Sequence, residues 1–78
     1  MEQGRLTIET YPSGSKIYID GSLVLDDNGE PGLTPAILTV DVGSHNIKLT
    51  LEGYCDEYDS QYVEKNENVV IVHNFYVC

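Results

Sequence analysis

The 78-residue sequence contains no tryptophan, a single phenylalanine, two cysteines and only four lysines and arginines. Those four cations stand against 13 aspartates and glutamates, for a net charge of −9. The imbalance argues against nucleic acid as a partner, because phosphate binding needs clustered Lys and Arg. It argues equally against a basic face for anionic membranes. No apolar run approaches the roughly 20 residues of a membrane-spanning helix. Met1-Glu2-Gln3-Gly4-Arg5 has no apolar core, so no signal peptide is expected. There is no Asn-x-Ser/Thr sequon, no internal repeat and no low-complexity linker. The length suits one small domain and not two. A chain of this size buries roughly 60–65% of its unfolded surface, so its core is thin and an internal active-site cavity would consume much of it.

Cys55 and Cys78 fit no zinc pattern, since a structural site needs about four ligands and only His45 and His73 remain as further candidates. Either the two cysteines form one bridge or both are free thiols; the sequence leaves the choice open. Neither has a local activating feature, so Cys–His nucleophilic catalysis has no sequence support.

What the chain does contain is regular punctuation. Pro12, Gly14, Gly21, Gly29, Pro31, Gly32, Pro35, Gly43 and Gly53 separate short runs rich in β-branched and aromatic residues, the pattern of an all-β domain. Leu6 and Ile8 alternate with Thr7 and Glu9; Ile17 and Ile19 alternate with Lys16, Tyr18 and Asp20. Ala36, Leu38 and Val40 alternate with Ile37, Thr39 and Asp41. Ile47, Leu49 and Leu51 alternate with Asn46, Lys48, Thr50 and Glu52. Period-two alternation gives each strand one buried and one wet face, as in antiparallel sheets stacked into a sandwich. Val69–Val77 is apolar on both faces and is expected to be the most buried strand. In the 54–65 stretch, Tyr54, Tyr58 and Tyr62 have helical spacing, while Asp56, Asp59 and Ser60 suit neither helix nor strand well. The preferred reading is an irregular stretch entering a strand near 61–65. Asp20-Gly21 and Asn28-Gly29 are dipeptides suited to type I′ hairpin turns.

Several of these residues, in order, resemble the PEGA domain family. Pro12-Ser13-Gly14-Ser15 stands where the naming motif has Pro-Glu-Gly-Ala, after the first strand. Ile17-Tyr18-Ile19-Asp20-Gly21 follows, then Gly32-Leu33-Thr34-Pro35, then Val42-Gly43-Ser44-His45-Asn46-Ile47, with Val42 in place of Pro, and finally Gly53-Tyr54. The resemblance implies a small antiparallel β-sandwich of one domain, residues 1–78 with a core of about 5–77. It implies a non-catalytic structural or binding module of cell-surface, S-layer-like or envelope proteins, found also beside regulatory domains. No catalytic residue carries over. On this view Pro12, Gly14, Asp20, Gly21, Gly32, Thr34, Pro35, Gly43, His45, Gly53 and Tyr54 are structural. Pro12 ends the first strand, Gly14 supplies the permissive turn position, and Thr34-Pro35 opens a strand where a missing amide donor is tolerated. His45 is placed to bond a neighbouring loop carbonyl, and Tyr54 to lay its ring over the sandwich end.

The chain departs from the family between Gly21 and Gly32, where Ser22–Pro31 form a hairpin-like insertion. Asp26, Asp27, Asn28 and Glu30 around Gly29 are the candidate metal ligands, because calcium wants several oxygens on a bending backbone. They lack the EF-hand spacing, and a solvated hairpin tip accounts for them as well. No other cofactor is indicated. A second acidic group, Glu52, Asp56, Glu57, Asp59, Glu64 and Glu67, reads as a charged face that protects edge strands or as a docking surface for a basic partner. His73, on the same parity as Ile71 and Phe75, reads as hydrogen-bonded structure. Six tyrosines, Tyr11, Tyr18, Tyr54, Tyr58, Tyr62 and Tyr76, dominate the aromatics; exposed tyrosines stack on sugars, anchor interfaces or equally serve as ordinary strand surface, and Tyr18, at a family position, favours the structural role. Candidate binding residues are Tyr18 and, on the insertion, Leu23, Leu25 and Asn28. Expected partners are other domains of a longer chain, a protein or a polysaccharide. The expected location is the cell surface; the alternative is an interaction domain of a cytoplasmic regulatory protein.

Overall fold

A computed structural model describes residues 2–78. Seven strands form: β1 (Gln3–Tyr11), β2 (Lys16–Ile19), β3 (Ser22–Leu23), β4 (Ala36–Asp41), β5 (Gly43–Thr50), β6 (Glu57–Val63) and β7 (Asn68–Asn74). They divide into a three-stranded sheet of order β4-β1-β7 and a four-stranded sheet of order β3-β2-β5-β6. The fold is all-β, and the expected alternation decides which side chains lie between the sheets. Leu6 and Ile8 of β1, Ile17 of β2, Ile47 and Leu49 of β5, Val63 of β6, Ile71 of β7 and Phe75 form the buried core. Ile19, Ala36, Leu38, Val40 and Leu51 pack against it from its margins.

Three expectations change. β1 pairs with β4 antiparallel, but with β7 in parallel, from Arg5↔Asn68 to Tyr11↔Asn74. The first and last strands have most of the chain between them, so no hairpin forces them antiparallel. The expected buried strand, Val69–Val77, is instead an edge strand over Asn68–Asn74; Val70 and Val72 are 60% and 52% exposed. β1, paired on both sides, is the buried one. The outer face of the three-stranded sheet has nothing over it, so apolar character on both faces did not mean burial on both. Finally, β6 starts at Glu57 rather than near Gln61. Tyr58 and Tyr62, four residues apart, share a face in a strand as they would in a helix, which made the spacing ambiguous.

The turns follow their chemistry. Asp20 (φ 51°) and Gly21 (φ 87°) join the paired residues Ile19 and Ser22, as a type I′ turn requires. The insertion turn differs from expectation: only Gly29 of Asn28-Gly29 has positive φ. Gly29 N–H donates to Asp26 O, so Asp27 and Asn28 occupy the turn and Gly29 follows it. At the start of β1 the chain runs tight under the β6–β7 turn. A Cβ on Gly4 would collide with the Val63 side chain and lie 2.6 Å from Glu64 O.

Two connections between the sheets are fastened by hydroxyls. Thr34, buried, accepts the Gly14 and Ser15 N–H groups on its Oγ1 at 3.1 and 3.0 Å. Its Oγ1 lies 2.6 Å from Thr10 Oγ1, and Thr10 donates to Pro12 O at 2.8 Å. Thr10 has one proton and spends it on Pro12, so the proton between the threonines comes from Thr34. Backbone bonds Gly14 N–H to Thr34 O and Thr34 N–H to Ser15 O, both 3.0 Å, complete the clamp. Replacing Thr34 by the isosteric Val leaves the buried Ser15 N–H without an acceptor. Thr34→Val is expected to lower the unfolding free energy by about 2 kcal/mol, read from urea denaturation, and Thr10→Val added to it should cost less than Thr10→Val alone.

Candidate functional site

Three groups of polar or aromatic side chains stand out, each placed by particular strands. The first sits at the β2–β3 turn. Asp20 Oδ1 accepts the Asn46 N–H at 2.9 Å, and its Oδ2 is 2.7 Å from His45 Nδ1. His45 Nε2 is 2.7 Å from Asp41 O. Both ring nitrogens therefore face acceptors, an arrangement that only the doubly protonated imidazolium satisfies. The Asp41 carbonyl first, and then the Asp20 carboxylate, raise the His45 pKa above its ordinary 6.5. The Asn46 amide first, and then His45, lower the Asp20 pKa below 3.8. The expected loop-carbonyl bond of His45 is present; the partnership with Asp20 is additional. The group ties the β2–β3 turn to the start of β5.

The second group lies where the two sheets face each other at β6 and β7. His73 Nε2 is 3.0 Å from Asp59 Oδ2, and its Nδ1 is 3.5 Å from Glu57 Oε1. Asp59 Oδ1 also accepts from the Ser60 N–H and Gln61 Nε2. The expected acidic cluster is thus divided: Glu57 and Asp59 turn inward to the histidine, Asp56 pairs with Lys48 at 3.9 Å, and Glu67 accepts the Glu64 N–H. The carboxylates flank the imidazole on opposite nitrogens and do not converge on one point. Among the described residues no group of three His, Cys, Asp or Glu side chains forms a metal site. In the insertion, Asp26 Oδ1 accepts the Asn28 and Glu30 N–H groups at 2.9 and 3.0 Å, so this carboxylate shapes its own turn.

The third group is the outer face of the four-stranded sheet. Register places Leu23, Tyr18, Lys48 and Tyr58 in one row across β3, β2, β5 and β6. The Lys48 ammonium lies 5.4 Å from the centre of the Tyr18 ring. Of the expected binding residues, Tyr18 and Leu23 share this row; Leu25 (54% exposed) and Asn28 lie apart, on the arm held by the Leu25–Pro31 bridge. Tyr58 and Tyr62 belong to the face as well. The strand parity of 58, 60 and 62 is the available signal, obscured where 54–65 reads as an irregular stretch.

The far end is closed by the Cys55–Cys78 disulfide, with Cα atoms 5.1 Å apart. Cys55 N–H donates to Tyr76 O, and the Tyr54 ring packs on Phe75 with ring centres 6.0 Å apart. Gly53 (φ 86°) turns the chain into Tyr54.

Over residues 3–75 the sequence matches the family model of the PEGA domain. No curated protein matches it.

Two predictions test this geometry. A raised histidine pKa stabilises the fold below pH 6.5, and that contribution fades as pH rises through the raised value. A lowered aspartate pKa stabilises above pH 3.8 and fades as pH falls through the lowered value. The difference in melting temperature between the native chain and His45→Gln should therefore be largest between these limits and shrink toward pH 9. A flat difference would show that the ion pair contributes nothing. Opening the disulfide frees a loop spanning 23 residues of separation. Cys55→Ser with Cys78→Ser is expected to cost about 3 kcal/mol in denaturant unfolding.

Proposed function

Since the chain belongs to the PEGA domain family, we propose that it is a non-catalytic structural or binding module of a cell-surface or envelope protein. It serves as a spacer or through contacts with protein or polysaccharide. The observation that carries this reading is the parallel pairing of β1 with β7. Side by side and in the same direction, the first and last strands bring the chain in at one end of the sandwich and out at the other. The nine residues of β1 set these ends roughly 30 Å apart. Segments joined on either side would lie at opposite ends, which is the arrangement a spacer needs. The disulfide supports an oxidising compartment, where such bonds persist. The titratable groups support a non-catalytic role: His45 is held by Asp20 and Asp41, and His73 by Asp59 and Glu57, each engaged in structure.

Antibody raised to the domain and used on fractionated native cells tests this, with gels run with and without reductant. The expected result is a band in the envelope fraction, larger than this chain, whose domain fragment holds no free thiol. A cytosolic band with two free thiols would overturn the surface reading and favour an intracellular interaction domain.

A further inference from the structure

The outer face of the four-stranded sheet differs from the rest of the molecule in charge. The chain carries 13 acidic residues, yet the outward strand positions of this sheet, those alternating with buried Ile17, Ile47 and Leu49, include no Asp or Glu. The acids that border the face are engaged: Asp20 accepts the Asn46 N–H and faces His45. Asp59 turns its carboxylate to His73, and Asp56 pairs with Lys48, the ammonium in the middle of the face. The result is a nearly neutral surface on a strongly acidic protein.

That surface is a shallow open trough of about 700 Å3, lined by Tyr18, Asn46, Lys48, Tyr58 and Ser60, with Asp59, Ile47 and Gly21 also on its wall. Its volume falls within the usual range for ligand sites. Tyr18 and Tyr58 stand on β2 and β6, on either side of β5, so two strand spacings, about 9–10 Å, separate them. Tyr58 is 69% exposed, and Tyr18 is half-buried with the Lys48 ammonium 5.4 Å from its ring centre. Between the rings lie hydrogen-bonding groups with capacity to spare. Ser60 Oγ donates its proton to Asn46 Oδ1 at 3.0 Å. The Asn46 NH2 protons and the Ser60 lone pairs then point to no partner within that pair, leaving donors and acceptors for a ligand.

A ligand that fits must be uncharged, must present flat C–H faces to two aromatic rings and must carry hydroxyls between them. That is the chemistry of a sugar chain. An apolar protein anchor wants an enclosed, desolvated pocket, and this trough is shallow and open to water. We propose that the trough is a binding site for an uncharged polysaccharide laid across β2, β5 and β6, with successive parts of the chain stacked on Tyr18 and Tyr58 and hydroxyls bonded to Asn46, Lys48 and Ser60. The site deepens the reading of the chain as a surface binding module and rests on it.

The test is titration of the 15N-labelled domain with cellohexaose and with N-acetylchitohexaose, following amide shifts. At least one sugar is expected to give saturable shifts centred on Tyr18, Asn46, Lys48, Tyr58 and Ser60. Tyr18→Ala and Tyr58→Ala should each weaken binding about tenfold, as loss of one stacked ring predicts. Val70→Ser, on the outer face of the other sheet, should not change it. Asn46→Ala serves the same purpose should an aromatic variant fail to fold. Absence of saturable shifts with both sugars, shifts centred elsewhere, undiminished binding by Tyr58→Ala, or self-association covering the trough would each overturn the proposal. Envelope location without sugar binding would sink the trough alone; sugar binding by a cytosolic protein would sink the surface reading alone.

Discussion

The position of one sheet over the other depends on the hydroxyl of Thr34. It receives two amide protons from the Gly14-Ser15 turn and gives its own to Thr10, which passes the chain of bonds on to Pro12. The turn it holds carries the chain from β1 in one sheet to β2 in the other, and Thr34 itself leads into β4. A core of eight buried apolar residues resists separation of the layers but is indifferent to small slides between them, because the hydrophobic effect has no direction. Hydrogen bonds have direction. Sealed from water, a satisfied network of this kind fixes one arrangement, and a broken one leaves costly unpaired groups. Ser15 fits the same logic: it is fully buried beside the clamp, where only a small side chain has room.

The surplus of acid is used locally. Asp20 secures the Asn46 amide and His45; Asp26 secures two amides of its own turn; Asp59 secures Ser60 and reaches His73; Glu67 secures Glu64. Carboxylates that accept backbone N–H groups stiffen turns without building a reactive centre. Four carboxylates are engaged in this way, and among the described residues the acids do not gather into a metal site. This use of acid also clears charge from one sheet face, because the inward acids of β6 are occupied with the histidine opposite.

Strands with one clear wet face were legible from alternation: β1 from Leu6 and Ile8, β2 from Ile17, and β5 from Ile47 and Leu49. The Asp20-Gly21 turn was legible because only residues tolerant of positive φ can fill it. β7 was misjudged because Val70 and Val72 look like core, and nothing local reveals that a strand lies at an edge. β6 was blurred because Asp59 is a poor strand residue until a histidine from the other sheet is set against it, a contact between residues 14 apart. Thr10 drew no notice at all. Its value lies in a partner 24 residues away. The sandwich end closed by Cys55 and Cys78 was an open alternative for the same reason: chain spacing says little about whether two Cα atoms meet. For the candidate face, Tyr18 was legible and Tyr58 was hidden behind the uncertain strand.

The same topology that suits a spacer also decides how it would bear load. A pull through flanking segments enters at the start of β1 and leaves beyond β7, on neighbouring parallel strands. The force then runs along the ladder from Arg5↔Asn68 to Tyr11↔Asn74, so its hydrogen bonds share the load together instead of opening one after another from an end. Peeling could begin only at the exit, where Phe75–Cys78 leave the sheet. There the Phe75 N–H is bound to Tyr11 O, Tyr54 bridges to Val77, and the disulfide joins Cys78 to the segment between β5 and β6. A pull beyond Cys78 would therefore pass through the disulfide into Cys55 as well as through β7. The outer sheet face, on β2, β5 and β6, lies off that line, so a ligand held there would not interrupt a ladder loaded in this way.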